Sequence, residues 1–264
     1  MTERHGAVPP NHPVLLRYTV TSSEPPSLRE AIALGDRMRK ALIRWSDGAE
    51  VFVGRDAQTQ AVAEGHAHVH VFSESESSDG TISHFSVYAP QGFERSTRAA
   101  AALIHTLWGP QGRDVELFLS GTFRREDLQK EAIYRTLPLF GESKVWESLT
   151  PFISTRHAKL TKAGHPKLDE KGRHIGAAEH DLLRLLAIEG MPAPLSVQTM
   201  AAHECSGQKL EWSSFLTGRE GGGSRGTNTI PRGFRLEFDA PIQGPIAAGY
   251  GAHFGLGLFR RVDG

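Results

Sequence analysis

His66–Ser73 reads HAHVHVFS and Thr81–Tyr88 reads TISHFSVY, with Asp79-Gly80 between them. Each stretch alternates in polarity with a period of two, the pattern of a strand with one buried face. Asp-Gly is a tight-turn pair, so the two stretches are expected to form a β-hairpin. Working outward, Val14–Val20 (VLLRYTV) reads as a buried strand. Ser27 stands as a helix N-cap with Glu30 at the capping-box position. Apolar residues at Ile32, Leu34, Met38, Leu42 and Ile43 give helical spacing from Leu28 to Trp45. Glu50–Val53 reads as a short extended piece, Phe93–Leu107 as an Ala-rich helix and Val115–Ser120 (VELFLS) as a strand. The order strand, helix, strand, strand, helix, strand is the ferredoxin-like β-α-β-β-α-β unit.

A second, more decorated unit of the same kind fits the rest. Arg124–Ser143 is a charged, Pro-containing connection, and Lys144–Ile153 reads as a strand. Ala177–Glu189 is an amphipathic helix that stops at Gly190, with Pro192 just beyond. Leu195–Ala202 and Gly233–Phe238 read as strands, Gly218–Asn228 as a mobile Gly-rich segment, and Leu256–Val262 as the closing strand. The expected fold is α+β, two tandem ferredoxin-like domains with a C-terminal Gly-rich loop. The expected division is a leader at 1–13, a first domain at 14–125, a linker at 126–143 and a second domain at 144–264.

Composition narrows the function classes. Of 264 residues, 39% are hydrophobic, enough for one large core or two small ones. Lys plus Arg and Asp plus Glu are 30 each, so the net charge is zero; an anionic partner must be held by local patches rather than a uniformly basic surface. Cys205 is the single cysteine, which excludes an internal disulfide and a Cys-rich zinc site. No apolar run approaches the ~20 residues of a membrane span, and Met1–Pro13 is polar; the expectation is a cytoplasmic protein with no membrane partner. The 13 histidines are dispersed, and several fall at chemically useful spacings.

The sharpest motif is Gly244–Phe259, GPIAAGYGAHFGLGLF, with glycines at 244, 249, 251, 255 and 257. Glycine permits positive φ and close backbone approach, so such a loop can present N–H groups to phosphate. It equally suits a turn packed under a last strand. It is neither the G-x-G-x-x-G of dinucleotide sites nor a P-loop.

A Gly-rich loop near the C-terminus, after two ferredoxin-like units, is similar to the RAMP proteins of CRISPR systems and to their Cas6 branch in particular. Together with WESLTPFISTRHAK (Trp146–Lys159) and GHAHVHVF followed by DGTISHFSVYAPQGF (Gly65–Phe93), it resembles the Cas6-type portion of Csb2, the fused Cas5–Cas6 subunit of type I-U (I-G) CRISPR effectors. The resemblance spans Leu28 to Val262. No Cas5-like half precedes these motifs, so the expectation is a stand-alone Cas6 relative or the Cas6 half alone.

The resemblance implies cleavage of CRISPR repeat RNA without metal and without any cofactor. The 2′-hydroxyl attacks the adjacent phosphate, leaving 2′,3′-cyclic phosphate and 5′-hydroxyl ends. It also implies crRNA and Cas7-, Cas5- and Cas8-like subunits of a type I effector (Cascade) complex as partners. Such chemistry needs a base, a donor to the leaving oxygen and cations on the phosphorane, and histidine serves near neutral pH. His66, His68 and His70 share one strand face, and His84 lies across the turn, expected opposite His68 or His70. His66, His68 and His84 are the catalytic candidates. Each is also readable as a half-buried strand histidine. A His-x-His metal site lacks a third ligand of evident spacing, and His84-Phe-Ser86 is only half of a two-histidine phosphoesterase motif. Many Cas6 enzymes carry their histidine on or before the first helix, where Leu28–Trp45 has none.

Arg156–His174 holds Arg156, Lys159, Lys162, Lys167, Lys171 and Arg173 against Asp169 and Glu170, with His157 as a secondary catalytic candidate. This is a phosphate-contacting stretch or a solvated loop. Arg219, Arg225, Arg232 and Arg235 flank the mobile segment. Tyr250, Gly251, His253, Gly255 and Gly257 complete the RNA-binding candidates. A non-catalytic crRNA-binding RAMP subunit is the alternative function. A small-molecule enzyme on the same scaffold is the third.

Overall fold

The computed structural model describes residues 12–54, 69–76, 80–109, 113–205, 208–216, 218 and 230–262. The first sheet is built from β1 (Leu15–Val20), β2 (His70–Glu74), β3 (His84–Tyr88), β4 (Thr106–Leu107) and β5 (Val115–Phe123), in the order β2-β3-β1-β5-β4 with antiparallel pairings. Setting the two-residue β4 aside, that order is second, third, first, fourth, the ferredoxin-like arrangement. α1 (Ala31–Trp45) starts from the expected capping box: the Ser27 hydroxyl accepts from the Arg29 N–H and the Glu30 carboxylate accepts from the Ser27 N–H, through a 3-10 turn at Leu28–Glu30. The apolar stripe of α1, Ile32, Leu34, Met38 and Leu42, is buried.

Two local readings are corrected here. Glu50–Val53 is a single helical turn (α2), closed by Gly54 at φ +72°, rather than extended chain. The helix expected over Phe93–Leu107 is confined to α3 (Arg95–Ala101), because Thr106–Leu107 pairs with Val115–Glu116 as β4. Sheet pairing outweighs the helix propensity of the Ala-rich tract.

The second half repeats the plan. After α4 (Glu131–Tyr134) come β6 (Glu142–Ser148), α5 (Ala178–Ile188), β7 (Ser196–Met200), β8 (Ala202–Cys205), β9 (Gln208–Glu211), β10 (Gly233–Gln243), β11 (Ile246–Ala247) and β12 (Leu258–Arg261). The sheet order β11-β12-β6-β10-β7 is again fourth, first, third, second, with β11 added at the edge. The fold is therefore α+β with two ferredoxin-like units. The hairpin β8–β9 was not expected from sequence. The second helix of this unit is replaced by the Gly-rich loop, which holds one 3-10 turn at Ala252–Phe254.

Three buried clusters form the core, and the first and third of them join the two halves. The largest joins Leu16, Tyr18, Phe85 and Val87 of the first sheet to Leu137, Leu139 and Phe140 of the connection and to Leu149, Trp212, Phe215 and Leu258 of the second half. The second gathers Trp146, Phe234 and Phe259 under Leu182 and Leu186 of α5. The third is small: Ile32 of α1, Ile153, Phe254 and Leu256. Among the described residues no helix is long and apolar enough to cross a membrane.

Candidate nucleic-acid interface

The Gly-rich loop is a packed joint. Gly249, Gly251, Gly255 and Gly257 all have positive φ, and a Cβ on Gly257 would lie 1.8 Å from the Ala248 carbonyl oxygen. On the facing helix, a Cβ on Gly35 would lie 2.4 Å from the Phe254 carbonyl oxygen, so α1 and the loop touch backbone to backbone only because that position is glycine. The N–H groups of Ala248, Tyr250, Ala252, Phe254, Leu256 and Gly257 donate to backbone carbonyls within the protein. Those amides are spent on packing rather than held out for phosphate. Arg39 clamps the joint: it donates to the Phe52 and Val53 carbonyls at 2.8 Å and lies over the Phe254 ring at 5.3 Å. His253 stacks on the buried His70, with ring centroids 4.1 Å apart. Tyr250 is half-buried against the Ile153 cluster.

The histidine hairpin differs from its expected register. His70 opens β2 and pairs with Tyr88; His84 pairs with Glu74, not with His68 or His70. A shift of register of this kind decides which side chains meet. His66 and His68 lie outside the described residues. His84 sits in a polar cluster on the sheet. Its Nδ1 is 3.0 Å from the Ser83 hydroxyl and 3.5 Å from Glu76. Arg17 donates to Glu74 at 2.9 Å and to Glu76, and Ser86 donates to Glu74. Burial, then the Arg17 charge, lowers the His84 pKa against the opposing pull of Glu76 and Glu74. The ring is thus surrounded by two carboxyl groups and one guanidinium, a poor setting for a phosphodiester.

The basic stretch is a folded arm. Lys159 N–H donates to Ile175, Lys167 N–H to Lys159 and Ile175 N–H to Lys167, each at 2.8 to 2.9 Å. Arg173 is turned inward onto Asp169 at 2.8 Å. The Arg173 backbone N–H leads the donors that hold the Asp169 carboxyl below its ordinary value. Arg235, also a candidate, pairs with Glu147. The remaining cations, Arg156, Lys159, Lys162, Lys167, Lys171 and Arg232, are exposed, as is His157.

Arg156, His157, His174 and Arg232 come together with Ser154 around a groove of about 660 Å³ at the start of α5, with no carboxylate in its lining. The positive end of α5 and the four cationic or imidazole side chains favour an anion there. Arg232 is placed by paired backbone hydrogen bonds with Phe152. The floor is fixed by the buried Asp181, which accepts from Ser154 Oγ (3.0 Å), Thr155 N–H (2.6 Å), Thr155 Oγ1 (2.9 Å) and the Arg184 guanidinium (2.7 Å). Burial alone would raise its pKa, but these donors outweigh it and hold the carboxyl low. Gly176 closes the rim, since a Cβ there would meet the His157 carbonyl oxygen at 2.3 Å. The Tyr250 N–H donates to the Ile153 carbonyl, so the Gly-rich loop adjoins this groove through the residue before Ser154.

The structure thus brings Arg156, His157 and Arg232 into one groove, and His253 against His70 elsewhere. Arg219 and Arg225 lie outside the described residues. Sequence reasoning missed Asp181, Ser154, Thr155 and Arg184; the contacts from 154–155 to α5 span 26 to 29 positions and leave no local signature, whereas the Asp181–Arg184 pair is a local i, i+3 contact.

No protein-family description matches the chain, and no curated protein does. Among solved structures, a RAMP protein binding different RNA substrates aligns at 12% identity over 96% of this chain and 100% of its own, with a TM-score of 0.39. Cas6b aligns at 10% identity over 94% and 99%, with a TM-score of 0.45. A Cas6 product complex aligns at 12% identity over 94% and 99%, with a TM-score of 0.42. The fold assignment rests on the two strand orders given above.

Proposed function

We propose that this chain binds CRISPR repeat RNA and cuts it by attack of a 2′-hydroxyl on the adjacent phosphate. The observation that carries the reading is the carboxylate-free groove of Arg156, His157, His174 and Arg232 at the start of α5. Phosphate contacts fall to Arg156, Arg232 and Lys159, with Lys162 and Lys167 following the strand outward along the arm. The base falls to His66 or His68, which stand four and two residues before His70 in the sequence. An imidazole takes the 2′-hydroxyl proton, the O2′–P bond forms, the P–O5′ bond breaks, and the departing 5′-oxygen takes up a proton. The products are a 2′,3′-cyclic phosphate and a 5′-hydroxyl. The two units act as one RNA-binding body, in the domain division 14–125 and 144–264, and the resemblance to type I-U subunits suggests assembly with Cas7-, Cas5- and Cas8-like chains.

A second reading is an RNA-holding subunit that does not cut. The carboxyl-rich surroundings of His84 favour it, because they remove one of the three histidines from phosphate chemistry.

The experiment is to incubate the protein with the repeat RNA of its own array in EDTA, beside RNA carrying a 2′-deoxy at the cut position. Cleavage that stops with the deoxy substrate is expected, as is its loss in His66→Ala and His68→Ala with binding retained. Salt-sensitive binding with no cleavage would establish the second reading. Neither binding nor cleavage would overturn both.

A further inference from the structure

Two of the four tryptophans, Trp146 and Trp212, are buried. The other two, Trp45 and Trp108, are 52% and 72% exposed, and both line one pocket of about 510 Å³ between α1 and β4. Large exposed indoles gathered at one place mark a binding surface rather than scattered surface chance. Arg37, Lys40 and Arg44 line the same pocket from positions i, i+3 and i+7 of α1, which lie on one helix face. His105 joins them from the sheet side, and no carboxylate is in the lining. The Arg44 guanidinium already lies over the Trp108 ring, 5.8 Å from its centroid. Lys40 is steadied by Asp36 at 2.7 Å.

We infer that this pocket binds single-stranded nucleic acid, with bases stacked on Trp45 and Trp108 and phosphates on Arg37, Lys40 and Arg44. Every base has a π-face, so indole platforms interleaved with cations hold a strand without reading its sequence. An apolar peptide would desolvate Arg37, Lys40 and Arg44 while bringing no anionic group to them. An acidic peptide would satisfy the cations and leave the indole faces without stacking partners. A chain of zero net charge whose pocket lining carries Arg37, Lys40 and Arg44 and no carboxylate has gathered positive charge where an anionic chain would lie. The pocket shares no lining residue with the groove at α5, and its occupancy does not depend on RNA cleavage.

The test is photo-cross-linking of the full chain to a thiouridine-substituted oligouridylate, with the cross-linked peptides mapped by mass spectrometry. Cross-links at Trp45 or Trp108 are expected. The exposed double variant Trp45→Ala/Trp108→Ala should bind the oligomer about ten-fold more weakly by fluorescence anisotropy. Cross-links confined to 154–175, with unchanged affinity in that variant, would overturn the pocket and leave the groove standing. Cross-links at the tryptophans alone would leave the pocket standing and overturn the groove. Displacement of the oligomer by an oligoglutamate peptide at equal affinity would assign the pocket to an acidic protein partner and overturn the inference. No cross-link anywhere would overturn both sites.

Discussion

The two sheets share one strand order and differ in what joins their third and fourth strands. In the first unit that join is a helix, α3, with Thr97 and Ala101 buried. In the second unit it is the Gly-rich loop, whose Phe254 and Leu256 reach out of their own unit to pack with Ile32 of α1. Gly255 faces Val71 of β2 and Ala31 of α1. A helix closes the unit it belongs to, whereas a glycine loop can be pressed against a neighbour's backbone. The second unit has exchanged part of its own cover for a joint to the first.

Three experiments break or sharpen this contrast. The largest effect is expected at Asp181, which ties α5 to Ser154 and Thr155 entirely within the second unit. Asp181→Ala leaves the Arg184 guanidinium and several donors without their acceptor and should cost about 4 kcal/mol in urea unfolding. A loss below about 1 kcal/mol would mean that Leu182 and Leu186 hold α5 by apolar burial alone. Because its folded pKa lies below the ordinary 3.8, the carboxylate's contribution is complete above that value and fades as pH falls through the lowered one.

Next comes His203 on β8. Burial, then the nearby Arg260 charge, pushes it down to about 4. Its unfolded form binds a proton near 6.5, so the native state is at full stability above 6.5 and loses it as pH falls towards 4. The loss over that window is on the order of 3 kcal/mol. His203→Gln should flatten the wild-type slope; an identical slope in the variant would assign the acid sensitivity to another group.

The smallest effect of the three tests the joint itself. Gly35→Ala forces a Cβ against the Phe254 carbonyl and should cost about 2 kcal/mol. Both units should lose stability together, read as one shifted transition by tryptophan fluorescence and by far-ultraviolet dichroism. Two separated transitions would show that the loop touches the first unit without coupling to it.

What was legible in the sequence was local. The Ser27–Glu30 capping box and the Gly190 stop of α5 depend on neighbours three or four positions away, and both are present. The strand order followed because strands, helices and turns could be counted. The register of His70–Glu74 against His84–Tyr88 was not legible, since pairing depends on the length of the crossing and not on the alternation that marks each strand. The β8–β9 hairpin is short, and Ser206-Gly207 was its one turn signal. The cations of 156–174 were legible as a group, but Arg173 turning onto Asp169 was not. Nor was the meeting of Arg156 with Arg232, which is made by the Phe152–Arg232 bridge. The indole pair could have been found: Arg37, Lys40, Arg44 and Trp45 share a helical face, and Trp108 directly precedes Gly109-Pro110 in the sequence.

The two-residue strands β4 and β11 sit at corresponding margins of the two sheets. Margins that short offer almost no row of unpaired amides for a foreign strand to zip onto. The opposite margin of the first sheet, β2, is overlaid by the Ala252–Phe254 turn. The last margin, β7, is the five-residue run Ser-Val-Gln-Thr-Met, short and largely polar. Borders blunted in this way leave the two five-stranded sheets little exposed edge for a foreign strand to pair with.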